Sequence, residues 1–151
     1  MFTALQTECK AALDGAVFFS AAPAIPVYTE QLKDIVSQIE ISIGKIGICV
    51  VILTPGAPQG VPGSIPCFNR VQIVARVFED VLINRGSSGT KQPASLVAEA
   101  IAFQLNKLSI AGCNNNKLMI DSIALVDDPA YLSYDVTLFT GATIGSAPTR
   151  V

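Results

Sequence analysis

The sequence contains no histidine and no tryptophan, and only 15% of its 151 residues are charged. Without histidine, neither a Ser-His nor a Cys-His nucleophile can be built, and the usual zinc patterns are excluded. The scarcity of charge says more. An ordinary soluble domain carries about 25% charged residues and needs them to stay dispersed. A chain that is half hydrophobic and this poor in charge is expected to hide part of its outer surface against another subunit. A membrane would be the other cover, but the longest apolar run, residues 46–53, falls well short of the roughly 20 residues a spanning helix needs. Met1, Phe2, Thr3 and Ala4 give no basic start and open no apolar block of signal length, so the chain is expected to be soluble and unprocessed.

Basic residues are never clustered. Ten Lys and Arg against twelve Asp and Glu leave a net charge of −2, scattered along the chain. A stripe that could track a phosphate backbone is missing, so specific nucleic-acid binding is not expected. A weakly acidic wall past which DNA slides is compatible with this balance. Cys9, Cys49, Cys67 and Cys113 are far apart and form no C-x-x-C pair. They are expected to be reduced thiols, Cys49 as core filler and the others partly buried.

Periodicity organises what is present. Phe2, Leu5, Cys9 and Leu13 form a helical stripe, and Leu32, Ile35, Val36, Ile39 and Ile43 form a second, with Thr29 as N-cap and Gly44 as terminator. Residues 46–53 are β-branched through their middle and predict a strand buried on both faces. Residues 54–67 hold Pro55, Pro58, Pro62 and Pro66 with Gly56, Gly60 and Gly63, which predicts a projecting loop with no regular element. Residues 70–79 predict a strand with Val71, Ile73, Ala75 and Val77 on one face and a mixed second face. A third helix over about 92–108 carries the stripe Ala94, Val97, Ala98, Ile101, Leu105 and Leu108. Two strands, 118–126 and 131–139, follow, joined by the turn at Asp127, Asp128 and Pro129. Residues 140–151 predict a flexible C-terminal tail. The expectation is one α+β domain over 1–139, in the order ααββαββ, with a four-stranded, mostly antiparallel sheet and helices packed on one face.

Three patterns could carry chemistry. Gly86, Ser87, Ser88, Gly89, Thr90 and Lys91 lie between a strand and a helix, the layout of a phosphate cradle. A P-loop, however, needs Gly and Lys adjacent and then Ser or Thr; here Thr90 separates Gly89 from Lys91, and Gln92 follows. The paired acids Glu79-Asp80 and Asp127-Asp128 sit at turns, where adjacent carboxylates are solvated charge. No serine occupies a recognisable nucleophile turn, and the aromatic residues do not alternate with bases. No catalytic, cofactor-binding or metal-binding residues are assigned, and the chain is not expected to be an enzyme.

One stretch resembles a known family. The strand through Val71, Ile73, Ala75 and Val77 ends at the acidic Glu79 and Asp80. An apolar step, Val81, Leu82 and Ile83, leads to Asn84 and Arg85; Gly89, Thr90 and Lys91 follow, and then the Ala-rich helix from Ala94. This is similar to the strand-and-loop signature of bacteriophage tail-terminator (tail-completion) proteins, minor tail proteins of the head–tail junction. The resemblance covers about forty residues, and the 54–67 loop is long for the family. It implies a virion protein, assembled in the host cytoplasm, that forms a homo-oligomeric ring, generally a hexamer. Such a ring caps the tail tube protein, stops its polymerisation and meets the head–tail connector protein, with DNA passing through its lumen unbound. Glu79, Asn84, Arg85 and Lys91 then become candidate subunit contacts. Two other classes stay open: another neck, tail-tube or baseplate subunit, and a small anion- or nucleotide-binding domain using the 86–91 loop.

Overall fold

The computed structural model describes residues 1–57, 59–61, 65–144 and 150. The chain opens with helix α1 (Phe2–Asp14), which buries Leu5, Cys9 and Leu13 as the stripe predicts. A single helical turn, α2 (Val17–Ser20), leads to a three-residue strand, β1 (Val27–Thr29). Helix α3 (Ile35–Ile46) follows, then β2 (Ile48–Gly56), β3 (Gln59–Val61) and β4 (Cys67–Glu79). After the short α4 (Val81–Asn84) comes α5 (Ala94–Leu105), then a two-stranded ribbon of β5 (Ser109–Ile110) and β6 (Asn116–Lys117). The chain closes with β7 (Met119–Val126) and β8 (Leu132–Thr143).

The main sheet runs β1-β2-β4-β8-β7, with β3 paired to β4. Every pairing is antiparallel except β1 with β2. The four strands expected from the sequence are the central β2 and β4 and their continuation β8 and β7; β1 and β3 are additional. On one face α1 and α5 enclose the core. Leu5, Cys9, Leu13, Val97, Ala98, Ile101 and Leu105 meet Ile48, Val50, Ile52, Ile73, Ala75, Val77, Val136 and Leu138 there.

The helices are not confined to that face. Val27 points into the core, so its neighbour Tyr28 points to the other side, where its hydroxyl lies 2.6 Å from Ser42 Oγ of α3. Helix α3 therefore covers the opposite face along the β1–β2 edge. This explains why Cys49 and Val51 are buried as well as Ile48, Val50 and Ile52, the two-sided burial expected of β2.

Several boundaries differ from expectation, and the larger differences have local reasons; Ile46 ends α3 rather than opening β2, and Leu108 lies past the end of α5. Thr29 is not a helix cap but the last residue of β1, in register with Ile52. Helix α3 runs through Gly44 and stops at Gly47, at φ 81°. A Cβ on Gly47 would sit 2.2 Å from the Asn84 backbone nitrogen, whereas Gly44 has nothing within 4 Å. The left-handed terminator is thus the glycine that no other residue could replace. The 54–67 segment is not a free loop in its described part. β2 continues to Gly56 through an irregularity between Leu53 and Gly56, where Pro55 has no ladder N–H to lose. Gln59 and Val61 then pair back onto Phe68 and Cys67; Pro58 and residues 62–64 lie outside the described residues. Similarly, residues 140–143 are not tail but strand, since β8 runs to Thr143 with Ala142 opposite Phe68, and Ile144 N donates to Pro66 O. Residues 145–149 and 151 lie outside the described residues.

Candidate assembly surface

The sequence singled out the corner after β4, and the structure turns much of it inward. Asp80 caps α4, its carboxylate accepting from Leu82 N and Ile83 N. That single turn carries Asn84 into the corner, where it is fully buried. Asn84 Nδ2 donates to Glu79 Oε1 (3.1 Å) and to Gln92 O (2.8 Å), while its Oδ1 accepts from Thr90 Oγ1 (2.6 Å) and Thr90 N (3.2 Å). Glu79 is buried too. Its Oε2 accepts from Ala94 N at 2.7 Å, at the start of α5, and its Oε1 from Arg85 Nε at 2.9 Å. Gly89 is pressed onto the same corner, where a Cβ would lie 2.0 Å from Asn84 O.

Glu79 and Asn84 are therefore not subunit contacts: a side chain whose polar atoms are satisfied inside its own subunit offers nothing to a neighbour. They form a buried clasp that holds β4, the 84–92 loop and the start of α5 together. Arg85 and Lys91 do reach solvent. The hydrogen bond from Arg85 to Glu79 raises the guanidinium pKa further. The terminal nitrogens of Arg85 make no hydrogen bond among the described residues. Lys91 stands at φ 61°, its N–H donating to Asn84 O. The clasp also bears on anion binding. The Ala94 N–H at the head of α5, which would greet a phosphate, is already taken by a carboxylate.

Among the described residues no group of three or more Cys, Asp or Glu is placed to hold a metal ion. All four cysteines are free. Burial pushes the Cys9 and Cys49 thiols up to about 12 and raises that of Cys113, so these three are poor nucleophiles at neutral pH. Only Cys67 is half-buried; Cys9 and Cys113 lie deeper than expected.

The surface is distinguished by apolar side chains. Leu82 on α4 is 89% exposed, Phe103 on α5 81% and Leu125 on β7 62%. Met119 and Ile123 of β7, Val17 of α2, and Val36 and Ile41 of α3 are exposed as well. Among the described residues strand β7 is a free edge of the sheet, and it contains no Lys, Arg or Pro. Its one charge, Asp121, is tied to Arg70 Nη2 at 2.6 Å. At the other edge, the segment leading into β1 is flanked by two shallow grooves of about 350 and 370 Å³ that share Pro23. The first lies against Val17, Phe18 and Ile25, the second against Tyr28, Ile41 and Lys45. The sequence reading missed these edges, although β7 carried a signal: Met119, Ile120, Ile123, Ala124, Leu125 and Val126 leave neither face of the strand polar.

Neither a protein-family model nor a curated protein sequence matches the chain.

Proposed function

We propose that this chain is a structural virion subunit, a tail terminator that forms a ring on the phage tail tube, stops its polymerisation and offers the head-joining surface. The family resemblance of the 71–108 segment motivates the specific role. The observation that carries the assembling role is β7. Proteins that stay monomeric blunt a sheet edge with lysine, proline, a bulge or a covering segment. Here the edge strand carries no lysine or proline. Beyond one register shift between Ile120 and Ser122 it pairs regularly with β8 from Ser122 to Val126, leaving Ile123 and Leu125 exposed, with Met119 exposed before the shift. Exposed apolar patches of this kind mark surfaces that meet another protein.

Other neck, tube or baseplate subunits would share this assembly habit, and tails distinguish them. A terminator binds only the ends of finished tubes, whereas a tube subunit decorates or extends them. The anion-binding alternative loses its main support, because Glu79 occupies the head of α5. The test combines light scattering and negative-stain imaging of the purified protein with addition to tails assembled without it. Rings, or a monomer that caps such tails and restores uniform length, support the role. A monomer that leaves tails over-long refutes it.

A further inference from the structure

Among the described residues β1 and β7 end the main strand order, and the two edges are complementary. Strand β1 runs parallel to β2 and hence antiparallel to β7, four strands away. A second copy set beside the first in the same orientation therefore brings β7 alongside β1 in the antiparallel sense. The two edges can be traced to one level of the sheet. Val27 is level with Val50, Val50 with Val77, Val77 with Tyr134 and Tyr134 with Leu125. One row of side chains thus joins Leu125 at one edge to Val27 at the other, all on the face covered by α1 and α5.

Charge is complementary at the same end of the sheet. Asp127, just beyond β7, is exposed and makes no ion pair among the described residues. Its neighbour Asp128 is occupied in its own turn, accepting from Ala130 N and Tyr131 N. At the β1 edge, Lys45 in the last turn of α3 is exposed, equally unpaired among the described residues, and the only charged side chain lining either groove.

We infer that the β7 edge of one copy docks on the β1 edge of the next, with Leu125 in the groove beside α2 and Asp127 facing Lys45. This deepens the ring reading and rests on it, by naming which two surfaces of the subunit meet. The contact joins two different patches, so it propagates from copy to copy and closes into a ring when the rotation permits. The apolar grooves carry the attraction, since β1 offers only three residues for strand pairing. The ion pair at the rim fixes orientation.

The test uses charge exchange and cross-linking on the full chain, with thermal melting to confirm that each variant folds. Lys45→Asp and Asp127→Lys singly place like charges opposite each other and should weaken self-association about tenfold or more. The double exchange should restore it. With Cys67→Ser to remove the half-buried thiol, a chain carrying both Val17→Cys and Leu125→Cys should oxidise to a covalent ladder ending at the ring size. Chains carrying one of these cysteines should stop at a mixed dimer. Rings that persist unchanged in both single reversals, or that give no ladder, overturn this contact while leaving the ring reading in place. Homodimers formed by Leu125→Cys alone overturn it in favour of β7 pairing with itself. Protein that stays monomeric and uncross-linked at high concentration also overturns it, and tail capping then decides the ring reading separately.

Discussion

Replacing Glu79 by alanine removes the acceptor at the centre of the buried clasp and leaves two kinds of debt behind. The Ala94 N–H, bonded at 2.7 Å in a buried setting, loses its sole acceptor among the described residues. An orphaned buried donor costs about 1–3 kcal/mol. The Asn84 amide loses its 3.1 Å bond to Glu79 but keeps its 2.8 Å bond to Gln92 O, so its loss is partial. Loss of a helix cap by itself costs about 0.5–2 kcal/mol and overlaps the first amount rather than adding to it. The Arg85 guanidinium returns to water at little cost. Together these give a destabilisation of about 2–4 kcal/mol, or a fall in Tm of roughly 5–15 °C for a domain of this size. Glu79→Gln should fall between wild type and alanine, because one amide end accepts where the other meets Ala94 or Asn84 donor to donor. Differential scanning calorimetry with chemical denaturation measures both variants. If Glu79→Ala melts within about 2 °C of wild type, the carboxylate is not a cap and the clasp is not structural.

Other perturbations separate core, turn and surface. Ile101 is fully buried in the stripe of α5, so Ile101→Asp should cost about 3–5 kcal/mol through an unpaired buried charge, while Gln104→Lys should stay within about 0.5 kcal/mol; equal melting temperatures would mean the helix register is wrong. Gly47 stands at φ 81° with no room for a Cβ, whereas Gly44 is helical with open space. Gly47→Ala should therefore destabilise by about 1–3 kcal/mol and Gly44→Ala should stabilise by up to about 1 kcal/mol. Opposite signs in denaturant melts are the expected result. Backbone N–H bonds from Ala130 and Tyr131 hold the Asp128 carboxyl below its usual pKa of 3.8. A depressed folded-state pKa contributes stability that is complete above the unfolded value and lost as pH falls through the folded one. The Tm gap between wild type and Asp128→Ala should accordingly be flat from pH 5 to 8 and close below about pH 4; a gap that survives in acid would refute this. Arg85→Ala removes one of three partners of a buried carboxylate and should melt between wild type and Glu79→Ala, rather than like a variant of an idle surface residue.

Long, strongly periodic segments were legible in the sequence for a physical reason. The stripe through Val97, Ala98, Ile101 and Leu105 and the alternation Val71, Ile73, Ala75, Val77 each repeat one preference often enough that no single neighbour can override it. The short strands had no such repetition. β1 is three residues between Pro26 and a turn, and only its parallel register with Val50, Val51 and Ile52 makes it a strand. β3 lies inside a run of Gly and Pro that signals loop, and it is a strand only because the start of β4 is there to pair with. The terminator of α3 was misassigned because two glycines lie three residues apart, and what separates them is the backbone of Asn84, nearly forty residues further along.

The corner after β4 shows why polarity alone misplaces a residue. The family resemblance makes Glu79, Asn84, Arg85 and Lys91 candidate subunit contacts, and the polar, glycine-rich loop among them is of a kind that generally faces solvent. But α5 starts here with Pro93 before it and no side-chain cap of its own, and its head is buried beside the core, so a free N–H needs an acceptor from elsewhere. Glu79 supplies it from the end of β4, and Asn84 and Arg85 then follow as the donors that a buried carboxylate requires. Polar residues are thus drawn inward by an unsatisfied backbone, while Leu82, beside them in sequence, is left outside because the turn that buries Asn84 leaves its opposite side in water. On this corner and on β7 alike, the apolar residues are outside. A surface of that composition is costly for a monomer, and its cost falls when a neighbour covers it.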